Sequence, residues 1–229
     1  MNRIRQIETF HIRDGDSDGT RFVAPGDVRS VYPTVSEWLL VRVETDSAVG
    51  WGETLAPVTP DAPKAVIDNV LSPLLRGRDL DEGVIALSTR MRDANRERGQ
   101  NSGHEADAIA GVDAALWDAA ARSQGIPVWR SLGGRLRARI PVYRTDLDQD
   151  SALDKASESL THGIRLFKLH LALPPAGALR VYDTVKAALP EDVSLAVDAH
   201  WIHDRGTAAA LTDGLDKRGA WFLEAAVAP

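Results

Sequence analysis

Polar and apolar residues alternate through the first 54 or so positions of the chain, then change period twice. Residues 4–12 read as a mixed strand, and 38–45 and 49–53, separated by a short turn at 46–48, read as a hairpin. Between them, 14–26 is a polar, glycine-containing loop. Gly50 and Gly52 in the second hairpin strand are read as serving that hairpin rather than a phosphate. After Pro63, Ala65, Ile67, Val70, Leu71 and Leu74 recur at helical spacing, and 84–98 repeats it. A third helix over 106–122 carries Ile109, Val112, Leu116 and Ala119 on one stripe, and Gly125 and Pro127 end it. From about residue 140 short apolar runs take over, at 140–144, 166–171, 194–198 and 221–226, with helical spacers at about 150–161, 176–188 and 205–218. Near-continuous apolar strands alternating with helices predict βαβ units and a parallel sheet covered by helices. The predicted class is α/β: an α+β domain over 1–137, then a β/α series over 138–229.

Composition narrows the function classes. The 229 residues are 44% hydrophobic and 26% charged, with net charge −6, an ordinary globular balance. A mildly acidic chain with scattered Lys and Arg argues against a nucleic-acid partner. No apolar run reaches the roughly 20 residues needed to cross a bilayer, and the N-terminus has no apolar leader core, so no membrane role is expected. With no cysteine there is no disulfide, thiolate nucleophile or Cys-ligated zinc, and a cytoplasmic setting is expected.

The last third holds the candidate chemistry. Three apolar strands contain or end in residues that a core normally avoids: Lys168 and His170, Asp198 and His200, and Glu224. Charge at the tip of a buried strand is costly unless it is paired or bound to a metal. Positions i and i+2 of a strand share a face, so Lys168 joins His170 there, as Asp198 joins His200. Asp198 and Glu224 on adjacent strands could share one hard cation, and magnesium suits carboxylate and water oxygens. Plainer roles stay open for each. Lys168 could snorkel at a strand end, His170 could be hydrogen-bonded without moving protons, and His200 could pack beside Trp201. Asp198 could cap the next helix, and Glu224 could be an isolated ion-pair partner. His104, His162 and His203 read as loop or surface residues.

Taken together, these segments resemble the enolase superfamily, in its mandelate racemase/muconate lactonizing branch, over nearly the whole chain. The run 41–45 with Gly50, Trp51, Gly52 and Glu53 resembles the hairpin of the capping domain. The helix 110–118, the Gly125-Ile126-Pro127-Val128 segment and the Leu132-Gly133-Gly134 segment resemble its passage into the barrel. Lys168 and His170 stand at the family's K-x-K motif, Asp198 and His200 at its D-x-N or D-x-H motif, and Glu224 at its metal-binding glutamate, although Ala226 replaces a usual proline. The resemblance implies an N-terminal α+β capping domain followed by a partial (β/α) TIM-type barrel that ends after its fourth strand. It also implies Mg2+ as cofactor, held by Asp198 and Glu224, a small-molecule carboxylate as substrate, and homo-oligomers.

By the same resemblance, Lys168 positions or tunes the base and His170 occupies the base position, where lysine is commoner. A histidine accepts a proton at neutral pH without the large pKa depression that a lysine needs. A histidine at position 200 can protonate a departing hydroxyl, which an asparagine cannot, and this tilts the expectation towards dehydration of an acid sugar. A racemase, epimerase or cycloisomerase of the same family, and a non-catalytic truncated barrel, are the alternatives. The resemblance further places a third metal ligand and an opposite-face acid/base on later strands, which these 229 residues do not include.

Overall fold

The alternation of the N-terminal segment becomes an antiparallel sheet in the computed structural model, which describes residues 1–15, 22–23, 32–55, 58–94, 96–99 and 102–228. Most of the expected 14–26 loop lies outside the described residues. The chain divides into two units, Met1–Leu136 and Arg137–Pro229.

In the first unit the sheet order is β1 (Ile4–Asp14), β4 (Ser36–Thr45), β5 (Val49–Thr54), and a separate two-stranded ribbon pairs β2 (Phe22–Val23) with β3 (Tyr32–Pro33). Every second residue of β4 is buried, so Leu39, Val41 and Val43 enter the core with Ile4 and Ile7 of β1. Helical segments follow: α1 (Asp61–Val66) and α2 (Ser72–Leu75), joined through a π-helical turn at Ile67–Leu71, then α3 (Val84–Ala94), α4 (His104–Ser123) and the short α5 (Val128–Ser131). The stripe Ile109, Val112, Leu116 and Ala119 of α4 is buried in the same core. Gly50 and Gly52 have a role beyond the hairpin. A Cβ at Gly50 would lie 2.1 Å from the Ala115 carbonyl oxygen, and one at Gly52 would lie 2.2 Å from that of Gly111. The backbone of α4 therefore rests directly on β5, an approach that only glycine permits.

The second unit is a parallel sheet in the order β6 (Arg144–Leu147), β7 (Leu166–His170), β8 (Ser194–Asp198), β9 (Leu223–Glu224). The helices α6 (Ala152–Thr161), α7 (Pro175–Ala188) and α8 (Arg205–Asp216) alternate with these strands. One face of the sheet, with Phe167, Leu169, Leu195 and Val197, is buried among Ala156, Ala178, Tyr182, Val185, Leu211 and Leu215 of the helices. The other face carries the polar strand-tip residues. The first strand starts later than the pattern of residues 140–144 predicts: its ladder begins at Arg144, and Ile140 and Val142 are exposed. The physical reason lies in the pairing. Arg144 pairs with Phe167 and β7 begins at Leu166, so most of 140–143 lies beside residues that precede the strand and has no ladder to join.

Candidate active site at the strand tips

The register of the parallel sheet assembles the site. His170 of β7 lies beside Asp198 of β8, and Asp198 lies beside Glu224 of β9. Neighbours in register share a face, so these three form one row across the strand ends. Lys168, two positions before His170, points to the same side from the layer below. Its neighbour in that layer is Ala196, which has no side chain beyond Cβ, and this leaves the lysine stem room to rise to the row above. Lys168 Nζ donates to Glu224 Oε2 at 2.8 Å and lies 3.4 Å from Asp198 Oδ2. The Tyr143 ring approaches the same amine, with Nζ 5.9 Å from its centroid, and packs edge-on against Trp221 and Phe222.

This ammonium is not a snorkelling surface charge, since its side chain is 11% exposed, close to the 13% of Asp198. Burial pulls the Lys168 pKa down, but the Glu224 hydrogen bond and the Asp198 charge outweigh it, and the amine is held above the usual lysine value. Lys168 is therefore a cation at neutral pH. Helix capping does not occupy Asp198 either. Asp204 caps α8, accepting from the Thr207 amide at 2.7 Å while Thr207 Oγ1 accepts from the Asp204 amide.

The two histidines meet above the carboxylates. His170 Nε2 lies 3.0 Å from His200 Nδ1, with the rings nearly perpendicular, and 3.8 Å from Asp198 Oδ2. The His200 amide donates to Asp198 Oδ1 at 3.0 Å, which turns the other carboxylate oxygen towards His170 and Lys168. His200, Trp201 and Ala225 have φ of 52°, 58° and 48°. Non-glycine residues in the left-handed region mark stored backbone strain, which concentrates where side chains must be aimed. Backbone bonds from the Ala199 amide to Glu224 O at 3.0 Å and from the His203 amide to Ala226 O at 3.1 Å tie the two strained segments together. The His170 side chain is 40% exposed, and a cavity of about 170 Å3 lined by Asp148, Gln149, His170 and Leu171 opens beside it. A larger cavity of about 610 Å3 belongs to the first unit, between α3 and α4, and holds none of the strand-tip residues.

All five residues singled out in the sequence thus converge, and two donor sets for a metal are present. Asp198 and Glu224 offer hard oxygens that both approach the Lys168 ammonium. His170, Asp198 and His200 offer a mixed nitrogen and oxygen set.

Comparison with known proteins places this architecture. Residues 28–133 match the model of the mandelate racemase/muconate lactonizing enzyme N-terminal domain. Arabinonate dehydratase of Saccharolobus solfataricus is 30% identical over 96% of this chain, and D-galactarolactone cycloisomerase of Agrobacterium fabrum is 31% identical over 82%. The chain belongs to the mandelate racemase/muconate lactonizing branch of the enolase superfamily. The crystal structure of an enolase-superfamily member from Agrobacterium tumefaciens superposes on the whole chain with a TM-score of 0.90 at 28% identity. The chain spans 60% of the length of the arabinonate dehydratase, 51% of that of the cycloisomerase and 63% of that of the superposed structure. Enolase-superfamily members are metal-dependent, and the convergent carboxylates here suit a hard ion. No helix among the described residues is long and apolar enough to cross a membrane.

Two residues of this neighbourhood escaped the sequence reading. Tyr143 gave only a strand-start aromatic, with nothing to place its ring near Lys168. His203, expected in a loop or at the surface, is 8% exposed, and its amide bonds to β9's continuation. Burial pushes its imidazole pKa down, and Nε2 has no hydrogen-bond partner among the described residues. No side-chain pattern announced that burial, because it follows the positive-φ turn at His200 and Trp201.

Proposed function

We propose that the strand-tip cluster removes the proton α to a substrate carboxylate, and that the intact reaction is dehydration of an acid sugar. The observation that supports this most is the single row His170, Asp198, Glu224, with the Lys168 ammonium drawn up between the two carboxylates. A base, a cation and a pair of metal-type carboxylates are what such a proton transfer needs within one small volume. A magnesium ion held by Asp198 and Glu224 would supply charge neutralisation for the substrate carboxylate and for the negative charge that develops as the α-proton leaves.

His170 takes the α-proton at Nε2, the nitrogen that faces Asp198 and the row. Lys168 supplies fixed positive charge beside the substrate carboxylate, and its bond to Glu224 sets the position of its amine. His200 delivers a proton to the departing β-hydroxyl, and its contact with His170 at 3.0 Å gives the two imidazoles a route for exchanging that proton. Asp198 accepts from the His200 backbone amide, which ties the backbone of the acid to the carboxylate row. The relatives named as an arabinonate dehydratase and a cycloisomerase are consistent with this class of reaction. The cycloisomerase favours a second reading, lactone isomerisation, which shares the proton abstraction and needs no acid at His200. A chain without cysteine suits a reducing cytoplasm.

The test is a screen of hexonates and aldarates with Mg2+, following 2-keto acids. A keto product that disappears in His200→Asn, with α-proton exchange retained, is the expected outcome. Epimerised or lactonised products without any keto acid would overturn the dehydratase reading.

A further inference from the structure

We propose that His170, Asp198 and His200 form a binding site for a borderline transition-metal ion such as Zn2+ or Co2+, which shares Asp198 with the carboxylate pair but draws on two imidazoles in place of Glu224. The geometry carries this independently of the reaction assigned above. Zinc binds imidazole nitrogen at about 2.0–2.1 Å and carboxylate oxygen at about 2.0–2.2 Å, so tetrahedral ligand atoms stand about 3.3–3.4 Å apart. His170 Nε2 is 3.0 Å from His200 Nδ1 and 3.8 Å from Asp198 Oδ2, which brackets that spacing, and one donor atom from each of the three residues lies within 4.8 Å of the others.

The surroundings favour such an ion. The rings of His170 and His200 stand at 87° to one another and bring Nε2 of the first to 3.0 Å from Nδ1 of the second, so one nitrogen of each ring borders the same space. Asp198 is aimed by the His200 amide on its Oδ1, which leaves Oδ2 directed to the shared space. The nearest fixed positive charge, Lys168, is held by Glu224 at 2.8 Å and lies 3.4 Å from Asp198 Oδ2, so an ion on Asp198 would take the place of that second, longer contact. His170 is 40% exposed, which leaves room for water or a ligand to complete the coordination. Two imidazoles and one carboxylate select zinc, cobalt, nickel or copper over magnesium, because imidazole nitrogen suits the borderline ions and magnesium keeps to oxygen. On the function proposed above, occupancy would also remove both imidazoles from proton transfer.

Cobalt is the probe, because its visible spectrum reports coordination whether or not the protein turns over. Added to the 229-residue protein, Co2+ is expected to give a saturable visible band at one equivalent, erased by Zn2+. His170→Gln and His200→Asn should each weaken Co2+ binding by at least the ~10–100-fold that loss of even an outer-sphere partner costs. Asparagine suits position 200 because it tolerates the left-handed backbone there, and circular dichroism identifies any variant that fails to fold. Glu224→Gln should leave the Co2+ band in place while removing magnesium binding. Absence of a band in the parent protein, its survival in both histidine variants, or its loss in Glu224→Gln alone would overturn the assignment.

Discussion

Replacing His170 by asparagine is expected to slow exchange of the substrate α-proton with solvent deuterium by about 10²–10⁴-fold, the usual contribution of a positioned general base. The exchange is followed by proton NMR of a hydroxy acid incubated with the protein and Mg2+ in D2O. Asparagine retains a polar side chain at the half-exposed strand end, so the sheet should be undisturbed. The effect should fall on exchange itself rather than on any later step, which separates it from His200→Asn. An exchange rate unchanged in the His170 variant would remove this residue from the base role and leave it a hydrogen-bond partner of His200.

The second large effect is on stability. Lys168→Met takes away the only cation that the described structure places between Asp198 and Glu224. Leaving a buried charge unpaired is strongly destabilising, but Glu224 is 44% exposed and water screens part of the cost. A loss of about 2 kcal/mol in urea unfolding is expected. The pH dependence follows from the raised Lys168 pKa. A group whose pKa is higher in the folded state stabilises fully below its unfolded value, near 10.4 for lysine, and its contribution disappears as pH rises through the folded value. The parent protein should therefore lose this stabilisation at strongly alkaline pH, and Lys168→Met should lack that part of the decline. Equal stability of parent and variant at pH 7 would show that the ammonium is not holding the carboxylates.

Much of this was legible in the chain because two periodicities carry it. Alternation in residues 38–45 and the helical stripe of 106–122 each bury one face, and a one-residue error in either would expose Val41 or Leu116. The strand-tip residues were legible for the same reason: the i, i+2 rule put Lys168 beside His170, and parallel register then brought Asp198 and Glu224 into line. The contact of His170 with His200 was not legible, because it depends on positive φ at His200 and Trp201, which no side-chain pattern announces. The burial of His203 depends on the same turn. The ladder missing at 140–143 could not be foreseen from an apolar run alone, since a strand needs neighbours as well as propensity. The close seating of α4 on β5 was half legible: Gly50 and Gly52 stood out, but the helix that requires them lies far along the sequence.

The most direct measurement is a calorimetric titration of Mg2+ into the 229-residue protein and into its Asp198→Asn and Glu224→Gln variants. A single saturable site in the parent, weakened at least about tenfold, or ~1.4 kcal/mol, by either substitution, is the result predicted for two carboxylates that share one ion. No binding in the parent, or equal binding in all three proteins, would contradict it.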